Sequence, residues 1–392
     1  MPKKTLIVLL IALYVLSSGI AFAAFGMVGG SGGSTAGGRP SGFAKLIAPL
    51  IPTAGKGKVD VTADVPKTEA CPLNGKMYTK AERDAWEQRT PLAAMIENHM
   101  DARPQSGLSS ADVMFEAIAE GGITRFMAMI YCDAQNKDVL LAPVRSARTY
   151  FIDWASSYGK PLYVHVGGAN LPGPANALGQ LDDYKWTGKN DLNQFSIGFP
   201  TFVRNYDRIQ LADGKELPTE HTMETSSERL WKYAADNRGI TAWADAKTFV
   251  PWTFKDDDKE KGTNTTITYD FWEGYKQFTA GWQYNADSNS YTRSTAEAPH
   301  QDLNTKQPIQ ARNVVILFTT EKGPIDENKH MLYATTGTGK ALIFQDGKVV
   351  QANWSKASRT AALNFTVNGK SAKFNRGMIW ISVLANNTKV TY

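Results

Sequence analysis

The chain has 392 residues, 42% hydrophobic and 11% aromatic, enough to bury a sizeable core and to exclude a disordered protein. Its net charge of +5 is concentrated at one end: residues 1–58 hold six basic residues (Lys3, Lys4, Arg39, Lys45, Lys56, Lys58) and no acidic one. Without them 37 of the 43 basic residues face 38 acidic ones, so the remainder is near neutral and no nucleic-acid partner is expected.

Lys3 and Lys4 precede an uncharged run from Leu6 to Val28. As a helix it would extend about 34 Å, against about 30 Å for a bilayer core. The lysines favour the cytoplasmic side, so residues 1–28 are expected to anchor the chain in the cytoplasmic membrane by a single pass, with the bulk extracytoplasmic. Ser17-Ser18-Gly19 followed by Ala21-Phe22-Ala23 equally fits a cleavable signal peptide, in which case the protein is secreted. No cysteine stands near the end of the run to accept a lipid. Residues 29–59 are rich in Gly, Ser and Pro, the composition of a flexible linker.

Residues 60–254 are expected to form a mixed α/β (α+β) domain. Pro91–Ile96, Asp112–Ala119, Thr124–Cys132, Val139–Val144 and Pro161–Val166 have the apolar runs of strands, with a turn at Gly121-Gly122. Tyr150–Tyr158 and Glu228–Asn237 have helical patterns, the second ending near Gly239. The charged stretch Lys255–Lys261 loses periodicity and is expected to be an exposed boundary between two separately cored domains. Residues 263–392 are expected to be mainly β, with hairpin turns at Asp346-Gly347 and Asn368-Gly369 and a closing strand at Met378–Leu384. Cys71 and Cys132 are the only cysteines. In an oxidising compartment they are expected to pair, stabilising the fold by about 4 kcal/mol on loop-closure grounds.

Several motifs stand out: Met95-Ile96-Glu97-Asn98-His99, Ala102-Arg103-Pro104-Gln105-Ser106-Gly107-Leu108, Glu120-Gly121-Gly122-Ile123-Thr124-Arg125-Phe126, Pro143-Val144-Arg145-Ser146-Ala147-Arg148 and His165-Val166-Gly167-Gly168. Tyr291-Thr292-Arg293, Pro299-His300-Gln301-Asp302 and Trp354-Ser355-Lys356 follow in the second region. Together, over roughly residues 90–385, they resemble the YerB-like lipoprotein family (family 3048), which has a domain of unknown function at each end and no assigned reaction. Family members often carry a lipid-accepting cysteine, and this chain departs from them there. The resemblance implies architecture and export, and no mechanism.

The residues themselves suggest an anion site. Arg145 and Arg148 end an apolar run just before a helical one, Arg125 begins the preceding strand, and Arg204 and Arg208 lie further along. Forked guanidinium donors beside a helix start suit phosphate or carboxylate. Glu97, Asn98, Arg103 and His165 fall in the same motifs, His165 at a strand end where it suits a ligand contact or a general base. Bound to an anion, Arg125, Arg145 and Arg148 should line one cleft with accessible guanidinium groups. As structural residues they should instead pair with Glu97, Glu116, Glu120 or Asp153. The histidines lie too far apart for a metal-binding spacing, so no metal or other cofactor is expected. The leading expectation is an exported binding or scaffolding protein for an anionic envelope polymer or lipid-linked precursor. The alternative is an envelope glycopolymer phosphotransferase: a strand ending in arginine before a helix is similar to the LytR-CpsA-Psr family, whose arginine is followed by aspartate where Ser146 and Thr149 stand here.

Overall fold

Leu92–Glu97 (β1), Val113–Glu120 (β2) and Ile123–Ile130 (β3) are buried almost throughout, which explains why they appear as near-continuous apolar runs. They form the middle of an eleven-stranded mixed sheet in a computed structural model that describes residue 59 and residues 65–392; the expected leader and nearly all of the linker lie outside the described residues. The other strands are Leu162–His165 (β4), Asp191–Asn193 (β5), Asn313–Thr319 (β6), Gly337–Gln345 (β7), Lys348–Lys356 (β8), Asn364–Val367 (β9), Lys370–Ser371 (β10) and Ile379–Ala385 (β11). Their spatial order is β10-β9-β8-β7-β6-β11-β2-β3-β1-β4-β5.

Turn chemistry sets much of this order. Asp346 and Gly347 have φ of 55° and 67°, the doubly left-handed pair that closes the β7–β8 hairpin with the natural strand twist. Asn368-Gly369 does the same between β9 and β10. Of the expected strand Val139–Val144 only Leu140–Leu141 forms a ladder, since Pro143 has no N–H to contribute.

Five α-helices are described, all before residue 240: α1 (Lys80–Trp86), α2 (Thr149–Ala155), α3 (Ala177–Asp183), α4 (Gln194–Ile197) and α5 (Ser227–Arg238). Thr79 and Glu82 form a capping box at the start of α1. α5 starts on the Ser226 hydroxyl and stops at Gly239, whose φ of 63° suits glycine. Beyond residue 250 the described elements are strands and one 3-10 turn, so the second region is mainly β. Its own sheet contains Thr266–Tyr269, Ala280–Asn285 and Ser290–Thr295, and its alternating pattern turns Trp282 inward against Trp380 of β11 at 5.2 Å between ring centroids.

Cys71 and Cys132 are disulfide-bonded, with Cα atoms 6.0 Å apart. Two other expectations change. β11, from the second region, pairs in parallel with β2 of the first, and one apolar cluster runs through both, so the regions do not carry separate cores. The charged stretch between them is exposed at Asp256, Asp257, Lys259 and Glu260, as expected, but is also fastened down. Lys255 and Lys261 both reach the buried carboxylate of Asp346, Arg376 pairs with Asp256, and Arg312 pairs with Asp257.

Candidate functional site at the carboxyl edge of the sheet

β1, β2, β4 and β5 point the same way, so Glu97, Glu120, His165 and Asn193 end their strands along one edge. In open sheets with parallel strands that edge is the usual place for ligands. The segment carrying Arg145 is laced into it: the Arg145 N–H donates to the Met95 carbonyl, and Val166 donates to the carbonyl of Arg145.

Three nominated arginines meet here with two carboxylates. Arg125 is fully buried and donates to Glu120 Oε1 at 2.5 Å. Arg148 is nearly buried and donates through Nη2 to Glu120 Oε2 at 2.6 Å, while its Nη1 holds the Ala147 carbonyl. Burial acts to raise the Glu120 pKa, but the two guanidinium groups outweigh it and bring the carboxyl down to about 2. The accessible cleft expected for these arginines is therefore not what Arg125 and Arg148 line; their charge is spent on Glu120.

Arg145 differs. Only its Nε is engaged, donating to Glu97 Oε1 at 3.0 Å, and its side chain remains 27% exposed. Its two terminal nitrogens have no hydrogen-bond partner among the described residues. Glu97 is itself buried; its second oxygen accepts from Nδ1 of His221 at 2.8 Å. Burial raises the Glu97 pKa, and His221 with Arg145 reverses that, so it sits below the usual carboxylate value.

The remaining nominated residues have partners within the protein. His165 is completely buried, with one ring nitrogen on the Gly167 carbonyl at 2.6 Å and the other on Asp191 at 2.5 Å, which leaves nothing for a substrate. Arg204 holds the Thr219 carbonyl. Asn98 and Arg103 turn toward the second region: Arg103 donates to Asn98 and to the Gln277 carbonyl, and Asn98 donates to Thr124. They belong to a buried polar network that runs from Thr124 to Glu116, from Glu116 to Arg293, and on through His300 to Gln105, which returns to Asn98. Arg293 and Glu116 are both fully buried, with Nη2 and Oε2 2.9 Å apart. Burial, with Arg293 and Arg103 close by, holds the His300 pKa well below its ordinary value. The ring is therefore neutral, accepting from Arg293 at Nδ1 and facing the Gln105 oxygen with Nε2. Several of the motif residues thus build the seam between the two regions.

The regions that hold these motifs match known proteins. Residues 78–241 match the model described as the N-terminal domain of a protein of unknown function (DUF3048), and residues 267–381 match its C-terminal domain. The chain is 30% identical over 328 residues to the Bacillus subtilis (strain 168) protein named "Putative lipoprotein YerB", covering 83% of this chain and 89% of that one. The chain belongs to the YerB-like family. The crystal structure of YerB protein from Bacillus subtilis is similar in fold, with a TM-score of 0.65 and 25% identity over 83% of this chain and all of that one.

His221 and Glu120 were absent from the nominated site. Glu97 and His221 are 124 positions apart, so no local pattern joins them. Glu120 is a strand-end carboxylate whose importance rests on two arginines arriving from other elements.

Proposed function

We propose that the protein is an extracytoplasmic component of the cell envelope that binds an anionic ligand, an envelope polymer or a lipid-linked precursor, at the carboxyl edge of its main sheet. The observation that carries this is Arg145: a partly exposed guanidinium, oriented through Nε by a buried carboxylate, with both terminal nitrogens free of partners among the described residues. Orientation by Glu97 leaves the fork of Arg145 preset for two oxygens of a phosphate or carboxylate. Location in the envelope is supported by the sequence's basic, then apolar, start and by a relative named as a lipoprotein. A binding role is favoured over catalysis because His165, the nominated general base, is buried and fully engaged.

The test is calorimetric titration of the full chain with pyrophosphate and with a poly(glycerol phosphate) chain. Arg145→Lys retains the charge beside Glu97 and loses the fork, so binding should weaken by about tenfold, the equivalent of about 1.4 kcal/mol. Equal affinity of the variant and the parent chain, or no binding by either, would remove this reading.

A further inference from the structure

We propose a second site beside Arg145: a divalent transition-metal site of the zinc class formed by His99, Asp101 and His221. The His99 and His221 rings lie 4.9 Å apart at centroids with planes within 15°. Nδ1 of His99 is 3.7 Å from the Asp101 carboxylate. One ligand atom from each of the three residues falls within 4.8 Å of the other two. Two imidazoles and a carboxylate form a borderline-soft donor set, suited to zinc and its neighbours and poorly suited to calcium or magnesium. Three protein donors leave a position for water or an anion.

The surroundings are arranged as ligand histidines require. Nδ1 of His221 faces Glu97, and an ionised carboxylate only accepts, so Nδ1 holds the hydrogen and Nε2 keeps its lone pair. Carboxylates in this position fix the tautomer and ring orientation of metal-bound histidines. Glu97 is in turn held by Arg145. Arg208 clamps the two ligand-bearing segments together: it donates to the carbonyls of Ala102 and Pro104, just after His99 and Asp101, and to the carbonyl of His221. His99 is lightly tied, its Nδ1 accepting from the Asp101 amide at 3.3 Å, so its ring is able to turn toward an ion. Glu97 and Asp101 offset the positive charge that Arg145 brings to the neighbourhood. The long chain separation between His99 and His221 is what hid the site from a reading of sequence spacing.

The experiment is equilibrium dialysis of the untagged, chelator-stripped full chain against zinc, with no anionic ligand added, so its result is separate from the fate of the anion-binding reading. One equivalent of zinc should bind saturably. His99→Ala and Asp101→Asn, both at partly exposed positions outside the buried core, should each weaken uptake at least tenfold. Glu97→Gln should weaken it between tenfold and a hundredfold. No saturable uptake, or uptake undiminished in both His99→Ala and Asp101→Asn, would overturn the site.

Discussion

Glu120 accepts both Arg125 and Arg148 and ionises at about pH 2 in the fold, against an ordinary 4.5. A lowered folded pKa means that the unfolded chain binds the proton more readily, so this pairing contributes stability above pH 4.5 and loses it as pH falls through 2. The size is about 3 kcal/mol at most. Denaturation midpoints at pH 6 and pH 3 should therefore fall less steeply for Glu120→Gln than for the parent chain, from a lower start; parallel slopes would count against the pairing. Arg148→Ala leaves Glu120 with one partner and should destabilise the fold by about 3 kcal/mol in a thermal or chemical melt, as breaking a buried pair does. An unchanged melt would return Arg148 to the list of free ligand-binding groups. The arginine motifs were visible in the sequence because residue type and clustering are local properties. Whether a given guanidinium was free or paired was not, because Glu120 and Arg148 meet only when β2 and the start of α2 are placed side by side.

Elements whose signals are local were the most legible. The strands at β1, β2, β3, β6 and β11, the helix α5 with its glycine stop, and both Asx-Gly hairpin turns follow from apolar runs and backbone preferences a few residues long. The short α3 and α4 and strand β5 were missed, since each is brief and held by its neighbours more than by its own pattern. Asp346 shows the limit within one residue. Its place in the β7–β8 turn is a local signal, whereas its role as anchor of the charged stretch depends on Lys255, Lys261, Asn289 and Asn375 arriving from elsewhere. Burial acts to raise its pKa, and these donors hold it well below the usual carboxylate range instead. Asparagine tolerates the left-handed turn equally well, so Asp346→Asn isolates the charge from the turn. We expect it to cost about 1–3 kcal/mol by chemical denaturation, with the largest gain in proteolytic susceptibility between residues 255 and 262. A variant as stable and as resistant as the parent would reduce Asp346 to a turn residue.

Across the whole molecule, the seam is where the two family-model regions become one structure. β11 lies parallel to β2 over Ile379–Ser382, and Glu116, on β2, takes Arg293 and Trp380 from the second region while Thr124 approaches from the first. The composition shift near residue 255 precedes the mainly β region, but composition says nothing of strand pairing across it. The consequence is testable by cutting the chain. Cleavage within 255–261 breaks one loop and leaves the β2–β11 ladder, the Glu116–Arg293 pair and the shared apolar cluster in place. The two fragments should therefore co-elute as one species on size exclusion and separate only in denaturant. Expressed alone, residues 65–254 would expose the edge of β2 and residues 263–392 the edge of β11, each an apolar strand edge left without its partner and open to association. Arg293→Leu in the nicked protein should weaken fragment association, since Glu116 loses its cation and the pair is worth about 3–5 kcal/mol when broken from one side. Fragments that part without denaturant and each remain cooperatively folded would mean that the regions are independent domains and that the shared sheet adds little.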